Sequence, residues 1–171
     1  MKFLDIKQRH FIRSSEIKEI ISQIKKTYFQ SFVDKIFPKK SKVERILIEH
    51  GDELIAINNK LSLWKKGKIY IPILSLLLED NLGLKTIVVD MGAIKFVTNG
   101  ADIMRPGITI IEPSIKKGDI VRIADETHDR ILAVGQATFD AREMEKKTSG
   151  KVVKNLHTIK DPVWKFAKTF K

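Results

Sequence analysis

Three of the chain's nine glycines, at 92, 100 and 107, fall within the stretch "MGAIKFVTNGADIMRPGI" (91–108), whose only basic side chains are Lys95 and Arg105. The segments on either side, "KTIVVD" and "TIIEP", read as strands. Glycines so placed can cradle a phosphate, turn tight structural corners, or let backbone N–H groups approach a nucleic acid closely. The spacing fits neither GxGxxG nor GxxxxGK[ST], which removes the phosphate loop. The other two readings stay open on these residues alone. Asn99-Gly100 favours positive φ, and Pro106-Gly107 makes a second turn. A short helical turn over Ala93, Ile94, Phe96 and Val97 lies between strand and turn, with Phe96 and Val97 assigned to the core. The two glycine turns then bracket a small surface, with Lys95 and Arg105 supplying charge beside it.

Other chemistry is sparse. His10, His50, His128 and His157 form no HxxxH or HxH pair. Asp125, Glu126, His128 and Asp129 are close enough in sequence to consider a cation, but they lack the ligand spacing of a calcium loop and read as a solvated turn. With no cysteine there is no disulfide, thiolate ligand or thiol nucleophile. No GxSxG elbow is present. No catalytic residue, cofactor or metal is therefore assigned.

The net charge of +11 attracts polyanions, chiefly RNA, DNA or anionic lipid; a Lys-rich proteome is the plainer source of such charge. Residues 1–85 carry 17 Lys+Arg against 10 Asp+Glu, and residues 86–171 carry 15 against 11. Acids gather in "GDIVRIADETHD" (118–129), so "KKTSGKVVK" (146–154) is the basic candidate in the second half. No apolar run reaches membrane-span length and the N-terminus has no apolar signal region, so a soluble, cytoplasmic protein is expected.

These residues need elements to hold them. "RSSEIKEIISQIKKTY" reads as a helix capped by Ser14 or Ser15, with Ile17, Ile20, Ile21, Ile24 and Tyr28 on one face. A basic amphipathic helix can touch a membrane, but packing on a sheet is the favoured reading. Phe32, Val33, Ile36 and Phe37 continue the apolar pattern to Pro38. "VERILIEH" and "ELIAIN" form a hairpin around His50-Gly51-Asp52. "KIYIPIL" is a strand that Pro72 places at an edge. "LSLLLEDNLGL" is a short helix ended by Gly83. Beyond residue 85 the pattern becomes short strands separated by Gly, Pro, Asn and Asp: "TIVVD", "DIMRPGITIIE", "DIVRIAD" and "ILAVGQATF". Such spacing predicts a small, nearly closed barrel, followed by a helix "AREMEKKT" and a last strand "KVVKNLHTI". The fold class is α+β, with an N-terminal α+β domain over 1–85 and a barrel domain over 86–171.

The stretch "VVDMGAIKFVTNGADIMRPGITIIEPSIKKGDIVRI" resembles a PUA domain. Asp90, Gly92-Ala93, Phe96-Val97, Gly100-Ala101, Pro106-Gly107-Ile108 and Gly118-Asp119-Val121 fit that family's pattern, and "AVGQAT" (133–138) fits its later strand. The flanks "RHFIRSSEIKEI" and "GKVVKNLHTIKDPVWKF" resemble the malignant T-cell amplified sequence family, of which the chain looks like an archaeal member. That family joins a pre-PUA domain to a PUA pseudobarrel. The resemblance implies a non-enzymatic, RNA-binding role in translation, on rRNA of the small ribosomal subunit or on tRNA, with a protein partner resembling density-regulated protein. It places the RNA contact on Lys95, Thr98, Asn99, Gly100, Ala101, Met104, Arg105 and Pro106, with Lys151, Lys154 and His157 on the strand beside them. Residues 86–157 carry 11 basic against 10 acidic side chains, so the N-terminal half is the larger source of phosphate attraction. A protein-interaction adaptor, marked by an exposed apolar patch near Phe32–Phe37, is the second reading. An RNA-modification accessory protein or enzyme, marked by a buried cleft of convergent titratable groups, is the third.

Overall fold

A computed structural model describes residues 4–171. Eleven strands form two sheets among them.

The first sheet runs β1 (Ile6–Phe11), β2 (Val43–Ile48), β3 (Glu53–Ile57), β4 (Lys60–Lys66) and β5 (Ile69–Pro72), each antiparallel to its neighbour. The β2–β3 hairpin turns where His50 and Gly51 have φ of 73° and 84°. Asn58 and Asn59, both at positive φ, make the two-residue turn into β4. Asparagine tolerates that conformation because its short side chain bonds the local backbone, so this dipeptide was a readable hairpin signal. Neither β1 nor β4 was anticipated. Pro72 does lie on an edge strand, where its missing N–H costs no ladder bond.

Helix α1 (Ser14–Ile24) and helix α2 (Gln30–Ile36) cover this sheet. Serine does not cap α1. The cap position is Arg13, whose backbone N–H donates to Glu16 at 2.9 Å, so Ser14 is already helical. The helix ends at Ile24, short of Tyr28, which is instead buried against Phe32 with rings 3.9 Å apart. Its hydroxyl donates to the carbonyl of Tyr70 at 2.6 Å, and burial pushes its pKa up. Phe32, Val33 and Ile36 are buried as well. Helix α3 (Leu74–Leu77) is a single turn, and Leu82 and Gly83 at positive φ lead the chain away from it.

The second sheet is nearly closed and barrel-like, as the resemblance to a PUA domain implies. Its strands are β6 (Lys85–Val89), β7 (Ile103–Met104), β8 (Ile108–Ile111), β9 (Ile120–Asp125), β10 (Ile131–Ala137) and β11 (Lys151–Thr158). They are ordered β7-β11-β10-β9-β6-β8, and only β6 and β9 run parallel. Helix α4 (Ile94–Thr98) and helix α5 (Ala141–Lys146) pack on its core.

The last helix, α6 (Pro162–Thr169), was not anticipated. It crosses back to the first sheet, whose core takes up Val163 together with Ile120, Ile131 and Val134 of the barrel. Asp161 caps it, accepting from the Trp164 N–H at 2.8 Å. Arg9 of β1 donates to the carbonyl of Lys171 at 2.8 Å and lies over the Phe170 ring. The two sheets are thus joined by shared apolar packing.

Candidate nucleic-acid interface

The glycine stretch sits at the end of β6 as two interlocked loops. The Asp90 side chain accepts from the Ala93 N–H at 2.9 Å, and its backbone N–H donates to the carbonyl of Gly107 at 2.9 Å. A Cβ at Gly107 would stand 3.2 Å from that of Ala93, so a side chain there would press the two loops apart by a few tenths of an ångström. Gly100 is needed for its φ of +92°. It ends α4 in a Schellman arrangement: the Gly100 N–H donates to Val97 and the Ala101 N–H to Phe96, both at 3.0 Å. Asn155 on β11 fastens this end, its amide donating to the carbonyls of Val97 and Ala101 at 3.0 and 2.9 Å.

One turn of helix cannot send adjacent residues the same way. Val97 is 2% exposed, whereas Phe96 is 62% exposed, which corrects its assignment to the core. Phe96 lines an open depression of about 660 Å³ with Gly92, Ala93, Ala101, Met104, Pro106 and Lys151 among its walls. Met104 and the nearby Met91 are roughly half exposed. The acids of the depression are already engaged: Asp102 accepts from the Asn155 N–H at 2.9 Å and pairs with Lys151 at 3.4 Å. The surface is therefore apolar, backbone-rich and close to charge-neutral.

The expected contact residues divide accordingly. Ala101, Met104, Pro106 and Lys151 line the depression, and Lys95, Asn99 and Gly100 are exposed beside it on α4 and its terminal turn. Three do not face outward as expected. Thr98 is buried, with its hydroxyl donating to the Lys95 carbonyl. Arg105 turns in, donating through Nε to the Met144 carbonyl at 2.7 Å and through Nη1 to the Ile108 carbonyl at 3.2 Å. Its charge meets the C-terminal end of α5. His157 is 1% exposed; its Nε2 accepts from the Leu74 N–H at 3.1 Å, and its Nδ1 lies 2.6 Å from Asp161. That histidine couples the two sheets and offers no surface. Lys154 is exposed, but it does not line the depression and is near enough to Lys66 to oppose that residue's charge.

The acidic turn at 125–129 also has a structural account. Asp125 accepts from the N–H groups of Thr127, His128 and Arg130, which hold its carboxyl below the usual carboxylate range.

Fold and loop geometry define a two-part protein built on a PUA pseudobarrel, and comparison with known proteins agrees. The chain matches the Pre-PUA-like domain over residues 2–79 and the PUA domain over residues 85–159. It is 39% identical to an uncharacterized protein of Methanocaldococcus jannaschii, covering 95% of this chain and 99% of that one. It is 31% identical to Translation machinery-associated protein 20 of Saccharomyces cerevisiae over 95% of this chain and 94% of the relative. For Malignant T-cell-amplified sequence 2 of Mus musculus the values are 33%, 94% and 91%. Among solved structures, a hypothetical protein of Pyrococcus horikoshii superposes with a TM-score of 0.80 at 30% identity, covering 94% of this chain and 99% of that one. A PUA domain protein of Aeropyrum pernix shares the fold at 22% identity, with a TM-score of 0.81 over 98% of both chains. The chain belongs to the pre-PUA–PUA family that includes Translation machinery-associated protein 20 and the Malignant T-cell-amplified sequence proteins.

Proposed function

We propose that this protein is a non-enzymatic RNA-binding factor of the translation apparatus, recognising rRNA on the small ribosomal subunit or tRNA through its PUA domain. The observation that carries the reading is the open apolar depression around Phe96 and Met104, lined also by Lys151, Gly92 and Gly107, with Lys95 exposed on the adjoining helix α4. An unstacked base can lie on such a surface, with aromatic stacking worth about 1–3 kcal/mol per base. The two lysines meet flanking phosphates, and glycines admit the ribose-phosphate chain closely. Asp90 and Asp102 hold loops together through backbone N–H groups, which suits recognition rather than proton transfer.

The relatives named for the translation machinery support the cellular setting. An exposed apolar patch near Phe32–Phe37 would favour the adaptor reading; Phe32, Val33 and Ile36 are buried and Phe37 is half-buried. A protein partner resembling density-regulated protein remains compatible with the RNA-binding role.

The test is co-sedimentation with purified small ribosomal subunits, alongside binding to tRNA with and without its CCA end, across a salt series. Saturable binding to subunits or selective binding to one tRNA form is expected, and Phe96→Ala should weaken it. Weak, equally salt-sensitive association with every RNA, unchanged in Phe96→Ala, would overturn the reading.

A further inference from the structure

The depression is nearly neutral, yet the chain carries +11, and most of that excess lies in the first sheet and its helices. One exposed part of it is a strip running from the end of α1 to the β4–β5 turn. Two surface pockets share Lys26 and Thr27 there: one of about 280 Å³ also lined by Lys25, Phe29 and Lys85, the other of about 430 Å³ also lined by Lys65 and Lys68. Lys85 is held by Asp119 at 2.7 Å and Lys65 lies 3.9 Å from Glu53, while Lys25, Lys26 and Lys68 have no ion pair among the described residues. Phe29, which follows the buried Tyr28, is 69% exposed, the most exposed aromatic ring among the large apolar side chains. Free cations around an outward aromatic ring are the chemistry of single-strand binding: phosphates meet the ammonium groups and a base stacks on the ring.

The position fits that chemistry. Lys85 opens β6 and Asp90 follows its end, so strip and depression sit at opposite ends of one strand. Five residue steps of ~3.3 Å separate them by about 17 Å. That is roughly five nucleotides at ~3.4 Å each in a stacked strand.

We infer that the Lys25–Lys26–Phe29–Lys68 strip is a second RNA contact, which takes the single-stranded RNA continuing from the PUA depression. It rests on the RNA-binding reading above. The pre-PUA unit thus adds three free cations and a second stacking ring to the nearly neutral face of the barrel.

The experiment measures fluorescence anisotropy of a labelled oligouridylate of about twelve nucleotides, long enough by the spacing above to reach both sites, across a salt series. The proteins are the wild type, Lys25→Gln/Lys26→Gln/Lys68→Gln, Phe29→Ala and Phe96→Ala, each first shown to melt like the wild type. The triple variant should lower the slope of log K against log salt by about 2, from three phosphate contacts at ~0.7 each. Phe29→Ala should weaken binding roughly ten-fold with the slope kept. If the triple variant and Phe29→Ala bind like the wild type while Phe96→Ala fails, the strip is refuted and the PUA face stands. If Phe96→Ala is silent while the strip variants fail, the PUA-face reading falls and the strip stands as a site in its own right. A silent Phe29→Ala, with polyglutamate competing as well as RNA, reduces the strip to a general anion field and overturns the inference. So does a wild type that does not bind the oligouridylate.

Discussion

Phe96 and Val97 are neighbours in sequence with opposite surroundings, and truncating each to alanine separates binding from stability. Phe96 is 62% exposed, so its removal costs the folded state little. In the complex the ring is expected to carry one stacked base, worth about 1–3 kcal/mol. At ~1.4 kcal/mol per decade, Phe96→Ala should weaken RNA binding by about five- to 150-fold. Val97 is 2% exposed within the barrel core. Val97→Ala removes two methyl groups at ~0.8 kcal/mol each, and the residual cavity raises the loss to about 2 kcal/mol. For a chain of this length that lowers Tm by about 4–8 °C. Thermal melting by circular dichroism and anisotropy with a labelled RNA, at a temperature where both variants are folded, read the two effects separately. The expected pattern is crossed, with Phe96→Ala losing affinity at an unchanged Tm and Val97→Ala losing Tm at nearly unchanged affinity. If Phe96→Ala melts as early as Val97→Ala and binds RNA normally, the outward placement of the ring is wrong, and with it the proposed face.

Gly100→Val should cost about 1–2 kcal/mol of stability and also weaken binding, because φ of +92° resists a β-branched residue; Gly100→Asn should recover much of both in the same melting and anisotropy assays. Arg105→Ala should lower stability by about 2 kcal/mol, measured by urea unfolding, through loss of its charged hydrogen bonds to the Met144 and Ile108 carbonyls. Its RNA affinity should stay within about two-fold of wild type, since the residue holds the loop from behind. Asp161 links pH to stability. Burial pushes its carboxyl up, but the His157 hydrogen bond and charge and the N–H groups of Trp164 and Thr158 outweigh this and leave it below the usual carboxylate range. A depressed folded value means its contribution is complete above the unfolded value of about 3.9 and is lost as pH falls through the folded value. The Tm gap between wild type and Asp161→Asn should therefore hold near neutral pH and close below about pH 4. A gap that stays fully open well below about pH 4 would contradict the assigned contacts.

Much of this protein was readable from local pattern. The apolar period of α1, the hairpin at His50-Gly51, the edge placement of Pro72 and the glycine-punctuated short strands depend on backbone preferences that act over a few residues. The motif from Asp90 to Val121 pointed to the PUA barrel through its resemblance to that family, and within it glycine at 100 meets a positive φ that few other residues adopt. The elements missed lack such a signature. β1 has six exposed residues and no alternation, and α6 has only eight residues whose apolar face is completed by contact with the first sheet. The site shows the same division. Sequence located the loop, but tertiary packing decided which side chains reach solvent. α5 presents carbonyls that draw Arg105 inward, α3 and α6 claim both nitrogens of His157, and the single turn of α4 turns Phe96 out as it turns Val97 in. A turn residue is chosen by its own φ and ψ, which its neighbours in sequence reveal. The direction a polar or aromatic side chain takes is chosen by partners that arrive from distant parts of the chain, and those exist only once the two sheets have packed together.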